Sequence, residues 1–237
     1  MEFMGRRLRH EYKYYLHPHE YLSIRQRVAS MLPLDPHSQN GDGYGIRSLY
    51  FDSPVDHALY DKANGIFGRE KFRIRIYNGS DSSIKLERKS KYGEYVSKES
   101  APLTRAEYDN IVHGDASSIA ESPHPLVRDL YLGLAHKGYR PTAIVDYVRE
   151  AYIYEYGDVR ITFDKKLSSG VNSLDLFDPG LALREALNDS ARTILEIKFN
   201  RFLPEPVRLI ATPSASVRST ISKYVICREA AKLHFKR

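Results

Sequence analysis

Apolar and polar residues alternate with period two in segment after segment of this chain, the pattern of strands that bury one face and keep the other polar. Lys71-Phe-Arg73-Ile-Arg75-Ile-Tyr77 predicts a strand with Lys71, Arg73, Arg75 and Tyr77 on one face and Phe72, Ile74 and Ile76 on the other. Ile84-Lys85-Leu-Glu87-Arg-Lys89 repeats the arrangement, with Lys85, Glu87 and Lys89 opposite Ile84, Leu86 and Arg88. Asn78-Gly79-Ser80-Asp81 joins the two as a turn. The stretch from Arg9 to Leu16 also alternates, with Glu11, Lys13 and Tyr15 together. Further strands are predicted from Ile46 to Asp52, Glu94 to Ser100, Thr142 to Tyr156, Asp158 to Asp164 and Arg192 to Asn200. Tyr147 shares a face with Arg149, Arg160 with Thr162 and Asp164, and Glu196 with Lys198.

Helical spacing replaces period two elsewhere. Pro18 suits a first turn, and Tyr21, Ile24, Val28 and Met31 form a stripe that continues as far as Pro33. Thr104-Arg-Ala-Glu107 is a capping box, and the helix it opens stops at Gly114. Another helix is expected from about Pro125 to Lys137. The segment from Ser214 reads as helical, with Val217, Ile221, Tyr224 and Ala231 on or near one stripe. A Gly-rich turn spans Asn40 to Gly45. No internal repeat, low-complexity tract or linker divides the sequence, so one domain over residues 1–237 is expected.

Composition narrows the class. Hydrophobic residues make up 42% and charged residues 28%, which argues for a folded globular protein over a disordered one. The net charge of +6 favours an acidic partner. The lone Cys227 excludes an internal disulfide and a cysteine zinc cluster. No stretch approaches the ~18 apolar residues of a membrane span, and the start lacks the apolar core of a signal peptide. A cytoplasmic location is expected.

The charged strand faces change the picture most. They carry Lys13, Arg73, Arg75, Lys85, Lys89, Lys98, Arg149, Arg160 and Lys198, with Glu11, Glu87 and Glu196 interspersed. A sandwich would turn such faces to water. If the strands instead close into a barrel, the cations line its interior and helices cover the apolar outside. Cations stacked on neighbouring strands repel unless an anion lies between them, and a chain of phosphates fits that demand. Nucleic acid is a further acidic partner, with Tyr77 and Tyr147 available for stacking. It is not expected here, because a closed barrel turns these cations inward. His17-Pro-His19 has the composition of a metal pair but the spacing of a helix start.

Taken in order, RHEYKY, SLYFDS, KFRIRIY, IKLERKS, VSKES, DYVREAY, VRITFD, LEIKF and SKYV resemble the VTC domain, the polyphosphate polymerase branch of the triphosphate tunnel metalloenzymes. The resemblance covers roughly residues 6–233. It implies an α+β fold built on an antiparallel β-barrel tunnel, with helices packed outside and a C-terminal helix closing the tunnel. It also implies ATP and polyphosphate as ligands and a divalent metal, Mn²⁺ or Mg²⁺. By motif, Arg73, Arg75, Lys89, Arg149 and Arg160 correspond to the catalytic phosphate clamp. Lys13, Lys98 and Lys223 join them as phosphate ligands, and Lys85 and Lys198 are added from the same charged faces. Glu196 corresponds to the metal ligand, while Glu11 and Glu87 are expected in the lumen as residues that orient the cations.

One departure separates subfamilies. Tunnel hydrolases and the related cyclases generally begin with Glu-x-Glu-x-Lys, whereas this chain reads Arg9-x-Glu11-x-Lys13. The expectation is therefore a polymerase that moves the γ-phosphate of ATP onto a growing polyphosphate chain and releases ADP. A non-catalytic polyphosphate- or nucleotide-binding module and a tunnel triphosphatase are the alternatives. The family's eukaryotic members also carry regulatory and membrane-anchoring regions, which leaves room for an unidentified membrane or regulatory partner.

Overall fold

The computed structural model describes residues 2–3, 5–38, 42–187 and 192–232. Asn40 and Gly41 of the expected Gly-rich turn, and Leu233 at the end of the family resemblance, lie outside the described residues. The strands are β1 (Glu2–Phe3), β2 (Arg6–Arg7), β3 (Arg9–Leu16), β4 (Tyr44–Asp52), β5 (Arg69–Tyr77), β6 (Ser80–Tyr92), β7 (Tyr95–Leu103), β8 (Arg140–Tyr154), β9 (Val159–Gly170), β10 (Leu183–Glu185) and β11 (Thr193–Phe199). The helices are α1 (Pro18–Met31), α2 (His57–Ala63), α3 (Arg105–Val112), α4 (Pro125–His136), α5 (Glu205–Ala211) and α6 (Lys223–Lys232).

Antiparallel pairing runs β9–β11–β3–β7–β6–β5–β4–β8, and β8 pairs back onto β9 to close an eight-stranded barrel. Register puts Arg73 opposite Glu87 and Lys71 opposite Lys89. It also sets Glu196 between Lys13 and Thr162. The charged faces therefore converge on the lumen, because period-two side chains of paired strands share a face.

The outward apolar faces are covered by helices. Phe72, Ile74, Leu86 and Ala101 of β5, β6 and β7 pack under Tyr108 and Ile111 of α3 and Leu126, Val127 and Leu130 of α4. Leu16, Phe163, Leu195 and Ile197 of β3, β9 and β11 pack under Ile24 and Val28 of α1 and Val207 of α5. Burying one such aliphatic side chain stabilises by about 1.5–3 kcal/mol. The capping box of α3 forms as expected: Thr104 Oγ1 accepts from the Glu107 amide and the Glu107 carboxylate accepts from the Thr104 amide.

A third cluster lies on the inner side of β4 and β8. Ile46, Tyr50, Val145 and Tyr147 meet Ile221, Tyr224 and Cys227 there. Helix α6 rests on this cluster and blocks part of the barrel from within. Its anchor is polar: Tyr224 donates its hydroxyl to Asp52 at 2.6 Å. Asp52 also accepts from the Ala58 and Leu59 amides at the start of α2.

The expectation of a helix from Ser214 is corrected, since α6 begins only at Lys223. The preceding residues form an extended strap across one mouth of the barrel. Pro213 restricts its start. The Ala215 and Ser216 amides donate to Glu20, and the Ser219 amide donates to the Lys13 carbonyl at 2.9 Å. With amides engaged by β3 and α1, a helical ladder is excluded, and Val217 is left 80% exposed. Met31 also leaves its expected stripe and is exposed. Strand β9 runs on to Gly170, past the expected end at Asp164, beside a register shift in β8 between Asp146 and Val148. Short helices α2 and α5 carry too little periodicity to be read in the sequence.

Candidate functional site

The lumen holds a cavity of about 620 Å³ whose walls carry Lys13, Arg73, Arg75, Lys89, Lys98, Arg149, Arg160, Lys198 and Lys223. Glu11 and Glu196 line it as well. Lys85 stands apart: it is exposed at the hairpin end of β6, over the Tyr77 ring at 5.7 Å, and does not line the cavity. His17 and His19 are exposed at the start of α1 and belong to no group of three or more His, Cys, Asp and Glu side chains disposed to hold a metal among the described residues.

Acidic side chains brace most of these cations. Glu87, fully buried, takes Arg73 Nη2 at 2.7 Å and Lys98 Nζ at 2.9 Å, with Arg75 at 3.7 Å. Arg73 also donates to the Tyr50 hydroxyl at 2.7 Å, while Arg75 donates to Ser48 and Tyr147. Glu11 takes Lys89 at 2.6 Å and Arg9 at 3.0 Å, with Lys13 at 3.7 Å. Arg160 pairs with Asp35 and donates to the Tyr44 hydroxyl at 3.0 Å. Such charge-assisted bonds fix the direction of each guanidinium.

Asp164 is the residue that the motif comparison passed over. It grips Arg149 bidentately, at 2.6 and 2.7 Å, and accepts Lys223 of α6 at 2.5 Å. One carboxylate thus ties the barrel wall to the helix across its mouth. Its position on the lumen face of β9, in line with Arg160, was the available signal. Gly43 supports the same arginine from the other side. It has φ +94°, and a Cβ there would lie 2.3 Å from the Arg149 carbonyl oxygen. No side chain fits that approach.

The electrostatics follow from burial set against these partners. Burial alone would raise the Glu87 carboxyl, but Arg73, Arg75 and Lys98 hold it well below the usual carboxylate range. Glu11 is likewise held well below it, against burial, by Lys89, Lys13 and Lys198. Burial would lower the Lys223 ammonium, yet Asp164 and Glu196 raise it above its ordinary value. Lys89 goes the other way: burial presses it down to about 7 despite Glu11.

Glu196 was the expected metal ligand. Its Oε1 takes Lys223 at 2.7 Å and Lys13 at 3.5 Å, and its Oε2 takes Lys198 at 2.7 Å and Arg149 at 3.6 Å. Among the described residues no group of three or more His, Cys, Asp and Glu side chains is disposed to hold a metal. A carboxylate whose oxygens are both occupied by lysines does not fit a resident divalent ion, which takes about six or more oxygen ligands. Among the described residues no helix is long and apolar enough to cross a membrane.

The fold is similar to that of solved structures of low sequence identity. A protein from Hippeastrum, described as a cyclase candidate with a dominant triphosphatase activity, aligns over 94% of this chain and 95% of its own at 14% identity and TM-score 0.55. An adenylate cyclase candidate from Bacillus halodurans aligns over 98% of this chain and 88% of its own at 14% identity and TM-score 0.47. No curated protein sequence matches the chain. The VTC domain family matches residues 8–232, nearly the full length of the barrel and its helices. The chain belongs to the VTC domain family.

Proposed function

We propose that this protein is a polyphosphate polymerase that transfers the γ-phosphate of ATP to the end of a polyphosphate chain inside the barrel and releases ADP. The observation that carries the reading is the state of the lumen's carboxylates: Glu11, Glu87, Glu196 and Asp164 are each ion-paired with clamp cations. Carboxylates held ionised in this way are poor general bases for activating water. A terminal phosphate oxygen is already ionised and needs no base, so the site suits a phosphate acceptor better than a hydrolytic one.

Phosphoryl transfer depends mainly on positioning and on neutralising charge. Arg73 and Arg75, aimed by Glu87, and Arg149, aimed by Asp164, would grip the phosphoryl oxygens of the donor. Lys89 and Arg160 would hold the same chain from β6 and β9, with Lys13, Lys98, Lys198 and Lys223 around them. An oxygen of the acceptor's terminal phosphate forms a bond to the γ-phosphorus as the bridging bond to ADP breaks, and ADP carries away the electron pair. The nucleotide would arrive as its Mn²⁺ or Mg²⁺ complex, the metal being brought by the phosphates.

Incubation of the purified protein with ATP and Mn²⁺ tests the reading, with a gel stained for polyphosphate and assays for ADP and free phosphate. Long chains with stoichiometric ADP are expected. Free phosphate without chains would replace the polymerase by a triphosphatase, and tight ATP binding without turnover would leave a binding module.

A further inference from the structure

Lys71, at the start of β5, differs from the other lysines of the lumen. Its Nζ is closed off from water, yet among the described residues it has no hydrogen-bond partner, and it lies 4.6 Å from the centroid of the Tyr224 ring. The ladder explains the opening beside it. Pairing between β4 and β5 stops at Tyr50 and Arg73, so Phe51 and Asp52 do not pair with Phe72 and Lys71. A second cavity, of about 410 Å³, lies between the end of β4, α2 and the start of β5. Lys71 lines both this cavity and the lumen.

Its surroundings are cationic. Arg69 lies two residues away on the same strand face, about 7 Å along β5, and Lys89 stands opposite Lys71 on β6. Lys62 of α2 and Lys13 of β3 also act on Lys71, and Lys91 stands opposite Arg69. Like charges in such positions destabilise a sheet. Among the described residues, Lys62, Arg69 and Lys91 lack the carboxylate that the inner cations have. Lys62 Nζ donates to Thr220 Oγ1 of the strap at 3.2 Å, and Arg69 donates to the Ile66 carbonyl at 3.1 Å. The nearby acids are engaged elsewhere. Asp52 holds Tyr224 and the α2 amides, Glu70 holds Arg6 and Ser90, and Asp61 acts on Arg69.

Burial, then Arg69, press the Lys71 ammonium down to about 7. Lys89 is lowered to about the same value, but Glu11 holds its Nζ at 2.6 Å. What distinguishes Lys71 is therefore an amine without a partner beside an open cavity, among cations that lack a counter-charge. A buried lysine in that state is a nucleophile. The reagent that suits it must reach a buried nitrogen uncharged and leave an anion there. Carbon dioxide meets both demands, because an uncharged molecule avoids the desolvation that a preformed anion would cost.

We propose that Lys71 is a modification site, at which carbon dioxide reversibly converts the side-chain amine to a carbamate. The Nζ lone pair of the neutral amine forms a bond to the carbon of CO₂, one C=O π pair moves onto oxygen, and the nitrogen releases one proton to water. The product carries one negative charge, and no electron is gained or lost. It gives Arg69, Lys62 and Lys91 a counter-charge and places an anion where the unmodified side chain would be a cation. The modification needs no turnover at the inner clamp.

The full chain, equilibrated with ¹³C-labelled CO₂ and bicarbonate slightly above neutral pH, tests this. Triethyloxonium traps any carbamate as its ethyl ester, and digestion with mass spectrometry locates it. The peptide containing Lys71 is expected to carry one labelled ethoxycarbonyl group, to an extent that rises with CO₂ and vanishes if the gas is removed before trapping. Lys89, held by Glu11, should stay unmodified. A ¹³C carbamate resonance of the parent protein should be lost in Lys71→Arg, which keeps a cation but has no reactive amine. Arg69→Gln removes a counter-charge and should lower the occupancy at least about threefold. The assignment is overturned if Lys71 stays unlabelled at saturating CO₂. Labelling no greater than that of exposed lysines, or an occupancy unchanged in Arg69→Gln, overturns it as well.

Discussion

The cations of this lumen fall into two regions that differ in one respect. Around Glu87, Glu11, Glu196 and Asp164, nearly every Lys and Arg has a carboxylate within 4 Å. Toward the strap, Lys62, Arg69, Lys71 and Lys91 have none among the described residues. The inner cations are oriented before any ligand arrives, and these four carboxylates offset part of their charge. Those at the mouth lack such braces and repel one another. The two regions should therefore respond to substitution with opposite signs.

The largest effect is expected at the inner brace. Asp164→Asn leaves the buried Arg149 and Lys223 to share Glu196 alone and should cost about 3–5 kcal/mol of stability, read from urea melts. An unchanged midpoint would mean that the brace does not organise the barrel. Arg73→Ala comes next, with a loss of about 10²–10³ in turnover, by analogy with the removal of one oxyanion donor. A rate within a few-fold of the parent would remove Arg73 from the clamp.

At the mouth the sign should reverse. Lys91→Gln relieves the repulsion with Arg69 and should stabilise the unliganded protein by about 0.2–1 kcal/mol. A lower melting temperature would erase the distinction between the regions.

A further effect concerns pH. The Lys71 ammonium is lowered to about 7 by burial and by Arg69, against about 10.4 when unfolded. Between those values the unfolded chain binds more protons, so this group makes stability rise with pH from about 7 to about 10. Lys71→Met should flatten that segment of the profile. The inner carboxylates act at the other end. Their folded values are depressed, so the stabilisation they give is complete above about pH 4.3 and fades as the pH falls through the folded values.

Much of the site was readable because it lies on strands. Period two fixed which of Lys71, Phe72, Arg73 and Ile74 share a face, and the motif order supplied the cations expected to form the clamp. The same alternation, extended one step along each strand away from the β5–β6 turn, reaches Arg69 and Lys91. Lys62 left no such trace, since α2 is short and depends on Asp52 capping it from β4. The strap reads as helix in isolation because its apolar spacing is helical, but β3 and Glu20 compete for its amides and win. Lys85 shares the charged face of β6 yet stands outside the cavity, because alternation gives a direction and says nothing of depth along the barrel.

The sequence by itself determined the strands, their two faces and the chemistry of the charged one, because local side-chain alternation is a property of each strand alone. Only the tertiary structure decided that β8 closes onto β9, that Asp164 joins Arg149 to Lys223, and that Glu196 is saturated by lysines. It also separated the braced cations from the unbraced ones. Charge balance depends on which residues meet across strands far apart in the chain, and no local pattern encodes those meetings.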